Sequence, residues 1–351
     1  AEAALAQAAE AGGSLDSKED KIMTTTTMSK VVIGTTLSKA SDRVVATGAR
    51  IARTMGATLH LVHAFEAPMV AVGGAPFAPL IFEAAPGSQE LAQAARARMA
   101  EQIARLQIGG DCPVVQHVEQ GPAHRVLSEV AQREAADLIV VGAADTLAAH
   151  VFGSTATRVL RKARCPVMVL RGALPVPPRK VLLPVDLSPL SGEVVARGLA
   201  LLDRWRGAGA SAGPPGAWGP ENAEPSVEAL TVVVPIGFEG FVPHFDLAGT
   251  ERGGVEQLGE FLSAAGCAGR QMARVASFGG AREEILHRIS ATAPDLVIMG
   301  THGLSGFERF VLGSVAEGVA RSCRTSVLVI PPLAAAHAEV AAASAKQRPA
   351  A

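Results

Sequence analysis

Short apolar runs alternate along the chain with longer segments whose apolar residues recur at helical spacing. Lys30-Val-Val-Ile-Gly34 reads as a short buried strand, and the pattern from Ser38 to about Met55 predicts a helix. Thr58 to His63 reads as a second strand, and the Pro-, Gly- and Ala-rich stretch over 66–88 predicts a long loop, a candidate lid. Glu90–Gln107 predicts a helix with its arginines on one side, and Pro113 to Val118 a third strand. Gly121-Pro122 opens a helix running to Glu134. Asp137–Gly142, Ser154–Ala163 and Pro166–Leu170 complete the pattern as strand, helix and strand. Strands alternating with helices imply a mostly parallel sheet covered on both faces.

After a proline-rich linker, 172–179, the same order returns. Val181–Val185 repeats the first strand and Ser191–Arg206 the first helix, after which a Gly/Pro-rich insertion over 207–225 delays strand two, Ala229–Val234. A second candidate lid covers 237–250. Residues 271–276 read as strand three, Gly279-Gly280 open a helix, and Asp295–Gly300 and Ser326–Ile330 are strands four and five. The expected fold is α/β, with two tandem domains, 30–171 and 180–331. Each is an open, mainly parallel five-stranded sheet with helices on both faces. The segments 1–29 and 332–351 read as a disordered extension and tail.

Composition removes several classes of function. The chain has 351 residues, 48% hydrophobic and 19% charged, with a net charge of −1. That balance lacks the basic footprint of a nucleic-acid binder. No uninterrupted apolar run is long enough to span a bilayer, and 1–29 lacks the basic start and apolar core of a secretory signal. Cys112, Cys165, Cys267 and Cys323 are scattered without a C-x-x-C pair, which argues against a zinc site or a disulfide framework and suits a reducing cytoplasm.

The chemistry concentrates at Gly300–Ser314, GTHGLSGFERFVLGS, which follows the strand ending at Met299. Gly300, Gly303, Gly313 and Ser314 form G-x2-G-x9-G-S between a strand and a helix. Glycine lets backbone approach a ligand, and a helix start offers unpaired N–H groups to an anion, here those of Gly313, Ser314 and Val315. Ser314 and Glu317 also match a capping box, and His302 is either a phosphate contact or an exposed loop histidine. At the end of the first strand of this copy, Pro184-Val185-Asp186, the aspartate is placed to accept ribose hydroxyls or hold a hydrated metal, or else to cap the next helix.

The first copy lacks these features. Thr36 stands for Asp186, Asp145 stands where the second glycine belongs, and Thr157 stands for Glu317. The interval from Gly142 to Gly153 is two residues shorter than that from Gly300 to Gly313. A carboxylate at 145 repels phosphate, so the first copy reads as a degenerate nucleotide site.

Together, the glycine motif, Asp186, the strand order and the duplication resemble the universal stress protein family, specifically its tandem, ATP-binding-type members, from about Lys30 to Pro331. The resemblance implies an adenine nucleotide alpha hydrolase-like fold and an adenine nucleotide, ATP or another adenylate, across the strand ends. It puts phosphates on the glycine loop, ribose near Asp186, and adenine against backbone around Val234-Pro235. Pro235 has no N–H to donate there. Mg2+ held through water by Asp186 fits the same arrangement. Family members also pair through their last strands, which implies an intrachain pseudo-dimer through 166–170 and 326–330 and leaves homodimerisation to other surfaces.

The leading reading is a cytoplasmic, nucleotide-dependent stress-response regulator that hydrolyses ATP slowly if at all, since no G-x4-G-K-[ST] is present. The alternatives are a nucleotide-dependent enzyme, either a slow ATPase or an adenylyl-type transferase, and an adaptor that binds no nucleotide.

Overall fold

The computed structural model describes residues 30–66, 69–72, 81–84, 87–110, 112–143, 153–206, 225–234, 246–301 and 312–332. Its first half runs β1 (Lys30–Gly34), α1 (Lys39–Thr54), β2 (Thr58–Phe65), β3 (Met69–Val72), β4 (Ile81–Ala84), α2 (Ser88–Arg105), β5 (Val114–Gln120), α3 (Ala123–Arg133), β6 (Leu138–Gly142), α4 (Ser154–Lys162) and β7 (Val167–Leu170). The second runs β8 (Lys180–Pro184), α5 (Pro189–Trp205), β9 (Ser226–Val233), α6 (Leu247–Ala264), β10 (Ala273–Phe278), α7 (Ala281–Thr292), β11 (Leu296–Gly300), α8 (Ser314–Ser322) and β12 (Ser326–Ile330).

The ten main strands form one sheet, ordered β10-β9-β8-β11-β12-β7-β6-β1-β2-β5. In this sheet every pairing inside a half is parallel. The halves meet where β12 runs antiparallel to β7, with Val327, Leu328 and Val329 opposite Val169, Met168 and Val167. The expected pairing of the two last strands is therefore present, and it makes each five-stranded sheet half of a larger one. Pairing buries two edges that would otherwise be open templates for another strand.

Strand alternation sends side chains into two core layers. Val31 and Ile33 of β1 and Val181 and Leu183 of β8 enter one layer, with α1 and α5; Val32 and Leu182 enter the other, with residues of α3, α4, α7 and α8. Both layers continue across the β12–β7 junction. Burial raises the four free thiols, Cys165 to about 12, which keeps them protonated. Among the described residues, no helix is long and apolar enough to cross a membrane.

Two segments depart from the sequence reading. The loop expected over 66–88 contains an antiparallel hairpin, with Met69 opposite Ala84 and Val72 opposite Ile81. The second copy has α6, whose first turn occupies part of the lid expected over 237–250; the remainder of that stretch, to residue 245, lies outside the described residues. Gly249, Gly253, Gly254 and Gly259 hide this helix in sequence, since glycine costs about 1 kcal/mol per helical position relative to alanine. The structure shows why one of them is needed: a Cβ on Gly254 would lie 2.8 Å from the Cβ of Ala276 on β10. Asp246 caps the helix, accepting from the Gly249 N–H at 2.8 Å. The expected disorder of 1–29 and of the tail from 333 lies outside the described residues.

Candidate functional site

In each half the first strand sits between the second and the fourth, so the strand order reverses beside it: at β8 and β11 in one half, at β1 and β6 in the other. A crevice opens beyond the carboxyl ends of the strands at such a point. In the C-terminal half it encloses about 340 Å³. The sequence-predicted Pro184, Val185, Asp186, Val234, Met299 and Gly300 line it, and Gly313, Ser314 and Val315 close it from the helix side. Pro235, His302 and Gly303 lie outside the described residues, as does Asp145 of the first copy.

The Asp186 turn is built by local hydrogen bonds. Val185 N–H donates to the Leu230 carbonyl at 2.8 Å, carrying the sheet pairing one residue past β8. Leu187 then adopts φ 60°, uncommon for a side chain of its size, and Leu37 takes φ 59° at the matching place of the other half. Asp186 Oδ1 accepts from the Ser188 N–H at 3.0 Å, the Ser188 hydroxyl at 2.7 Å and the Ser191 hydroxyl. The helix cap is Ser188, whose hydroxyl accepts from the Ser191 N–H at 3.3 Å, so Asp186 is not the cap of α5. Its Oδ2 is buried and has no hydrogen-bond partner among the described residues. A carboxylate only accepts, so what this oxygen lacks is a donor.

The glycine-loop end is pinned at both sides. Thr301 N–H donates to the Ile330 carbonyl at 3.2 Å, and Gly313 N–H donates back to the Thr301 carbonyl at 2.7 Å. Gly313, at φ −57°, is the N-cap of α8 and offers no side chain to its first turn. The first helical bond runs from Glu317 N–H to the Gly313 carbonyl at 2.9 Å. The N–H groups of Ser314, Val315 and Ala316 therefore carry no helical bond and belong to residues that line the cavity. Of the three N–H groups expected to face an anion, that of Gly313 is committed to Thr301, and those of Ser314 and Val315 are not in helical bonds. The structure also overturns the capping box: Ser314 is inside the helix, and Glu317 accepts from Arg161 and Arg321 instead.

The N-terminal crevice is as large, about 360 Å³. It has the same glycine N-cap, Gly153 on α4, again without a side-chain cap. What differs is charge: Thr36 replaces the aspartate and bonds the Ser38 hydroxyl at 2.8 Å, and Arg43 and His63 line the cavity. The space persists in both halves; the carboxylate survives in one. Sequence reasoning missed Ser188, Ser191 and Thr301. The D-x-S spacing was a readable sign for the serines, since an aspartate accepting from the N–H two residues on forms a local turn; Thr301 carries no such sign.

The profile of the universal stress protein family matches residues 28–171 and 249–331. The segment carrying Asp186 lies between the two matches. Universal stress protein Rv2005c of Mycobacterium tuberculosis is 26% identical over 314 residues, covering 85% of this chain and 96% of the relative. A functionally unknown protein from Pseudomonas aeruginosa PAO1 superposes with a TM-score of 0.56 at 18% identity, over 91% of this chain and 98% of the other. A universal stress protein from Archaeoglobus fulgidus DSM 4304 gives 0.55 at 15% identity, over 87% and 97%. At these identities the structural likenesses speak for the fold.

Proposed function

The chain belongs to the universal stress protein family, and on that premise we propose that its C-terminal crevice binds one adenine nucleotide whose occupancy regulates a stress response. The observation that carries this reading is that one cavity is lined both by Asp186, whose buried Oδ2 has no described donor, and by a helix start without a side-chain cap. Phosphates would lie on the N–H groups of Ser314, Val315 and Ala316, where the helix dipole also favours negative charge. A ribose hydroxyl, or a water on a Mg2+ ion, would supply the donor that Asp186 Oδ2 lacks. The base would lie along Leu230, Val232 and Val234, with Pro235, His302 and Gly303 completing the contact set.

We read the protein as a binder that turns ATP over slowly if at all. The crevice offers one described carboxylate, and three donors already occupy its Oδ1. Regulation then comes from contacts that differ between two conformations. The first domain, taken as 30–171, would serve as partner to the second, 180–331, without binding the nucleotide itself. Homodimers would need surfaces other than β7 and β12, which pair with each other. A cytoplasmic location fits the unpaired thiols.

Equilibrium dialysis with ATP tests the proposal. Wild type should take up one equivalent, and Asp186→Ala combined with Gly313→Arg none. No uptake by folded wild type would overturn it in favour of an adaptor; two equivalents would show that the N-terminal crevice also binds.

A further inference from the structure

Away from both crevices, β2, β5 and the end of α3 bring together His60, His117 and Glu134, with one donor atom of each within 4.8 Å of the others. We propose that these three side chains form a binding site for a zinc-type divalent cation, with a fourth position open for water.

The spacing suits such an ion. His60 Nδ1 lies 3.0 Å from His117 Nε2 and 3.9 Å from Glu134 Oε2. Ligand atoms around tetrahedral zinc stand about 3.3 Å apart for Zn–N bonds near 2.0 Å. The three ligand atoms thus stand within about 1.5 Å of the separations that one ion requires. Two imidazoles and a carboxylate are a ligand set that zinc accepts, and with only three protein ligands the site keeps an open position.

The protonation pattern is already close to that of a bound site. The Arg133 guanidinium, which only donates, lies 3.4 Å from His117 Nδ1, so that nitrogen accepts and the His117 proton sits on Nε2. His117 Nε2–H then donates to His60 Nδ1, which leaves the His60 proton on Nε2, buried and without a partner among the described residues. His60 thus presents its lone pair to the cluster in its resting tautomer. Binding asks only that the His117 proton move from Nε2 to Nδ1, which faces Glu119 Oε1 at 3.9 Å. Arg133 then gives up its long contact to the ring and keeps its 2.6 Å bond to Glu119. A carboxylate behind a ligating histidine is the usual outer support of such a site. The C-terminal end of α3, where Glu134 stands, also favours a cation.

Two cations oppose the ion: the Arg133 guanidinium lies 3.6 Å from Glu134 Oε1, though its 2.6 Å bond to Glu119 ties it back, and a lysine stands closer. The Lys30 ammonium lies 3.5 Å from Glu134 Oε2, on the oxygen the metal would use. It is over one-third exposed and can swing into solvent. Removing it should tighten binding.

The test uses the full chain, stripped with chelator and titrated with Zn2+ alone by calorimetry, then with Co2+ followed by absorption. Wild type should bind one equivalent of Zn2+, and the cobalt form should show a tetrahedral spectrum without thiolate charge transfer, which separates this site from the four cysteines. His117→Gln and Glu134→Gln should each lose the equivalent while their circular dichroism stays unchanged, and Lys30→Ala should bind several-fold more tightly. Both ligand changes are at partly exposed side chains, so a folded variant is obtainable from at least one. Folded wild type that retains no zinc at micromolar free metal, unchanged binding in both ligand variants, or a thiolate spectrum would each overturn the proposal. None of these results depends on whether the C-terminal crevice binds nucleotide.

Discussion

Arg161 of α4 donates through one guanidinium nitrogen to both carboxylate oxygens of Glu317 on α8, at 2.9 and 2.8 Å. Glu317 closes the first turn of the helix whose start faces the C-terminal crevice, so a residue of one half braces the proposed phosphate end of the other. Arg321 reaches the same carboxylate from within α8 at 3.2 Å. At the matching place of the first half stands Thr157, so the brace runs in one direction only.

Arg161 is half exposed, which limits the stability the pair supplies. A double-mutant cycle with Arg161→Ala and Glu317→Gln in urea should give a coupling of about 0.5–1 kcal/mol. The Arg161 hydrogen bond, and behind it Arg321, holds the Glu317 carboxyl below its ordinary value of 4.5. Its contribution is therefore full above that value and lost as pH falls through the lowered one. The stability gap between wild type and Glu317→Gln should close in that acid range; a gap constant with pH would refute the assignment.

Neighbouring glycines of α6 should respond oppositely to alanine. A methyl group on Gly253 would meet nothing within 4 Å, so Gly253→Ala should stabilise the chain by about 0.5–1 kcal/mol. Gly254→Ala puts a methyl 2.8 Å from the Ala276 Cβ, which is fixed to backbone, and should destabilise by about 1–3 kcal/mol. Thermal melts of the two variants decide the matter, and equal shifts would mean that α6 does not sit this close to β10.

His60 and His117 give the N-terminal half a separate acid response. Burial lowers both from the ordinary 6.5, so the folded state resists protons that the unfolded chain accepts. Their stabilising contribution is complete above 6.5 and declines as pH falls through the lowered values. In chelator, wild type should lose melting temperature between about pH 7 and pH 5 more steeply than His117→Gln does. Parallel curves would contradict this.

In the C-terminal crevice, Asp186→Asn is the sharpest single change. An amide keeps the size and one acceptor oxygen, but cannot serve both the three local donors and a ligand donor. ATP affinity should fall by about 1–3 kcal/mol, roughly fivefold to 150-fold, with little change in melting temperature. Ser191→Ala, which removes one local donor, should weaken binding far less. Dialysis of both variants beside wild type would show whether the order is reversed.

Elements with unbroken apolar periodicity were legible in the sequence. β1, β6, β8, β11 and β12 stand out as short buried runs, and the return of their order exposes the duplication. Features set by tertiary contact were not. The glycines of α6 lower helix propensity locally and make sense only against the close-packed face of β10. The hairpin β3–β4 lies in a stretch whose Pro and Gly content reads as loop. Ser314 and Glu317 have the spacing of a capping box, but Arg161, distant in sequence, claims the glutamate. His60 and His117 stand 57 residues apart, and the pairing of β2 with β5 brings them together. At the crevice, Asp186 and Gly313 could be named from their positions after a strand and before a helix. That the Gly313 N–H is spent on Thr301 depends on where the chain returns.

The antiparallel seam between β12 and β7 joins two halves encoded by separate stretches of one chain. In a symmetric dimer any substitution is made twice, so a change that suits one subunit is imposed on the other. Here each half has its own sequence, and a residue can be matched to a neighbour that has no mirror image, as Glu317 is to Arg161. The first half is thereby free to differ from the second at its crevice while it supplies the strand that covers the other half's sheet edge and the arginine that braces α8. Its histidines and its recharged crevice are free to acquire chemistry that the C-terminal half does not share.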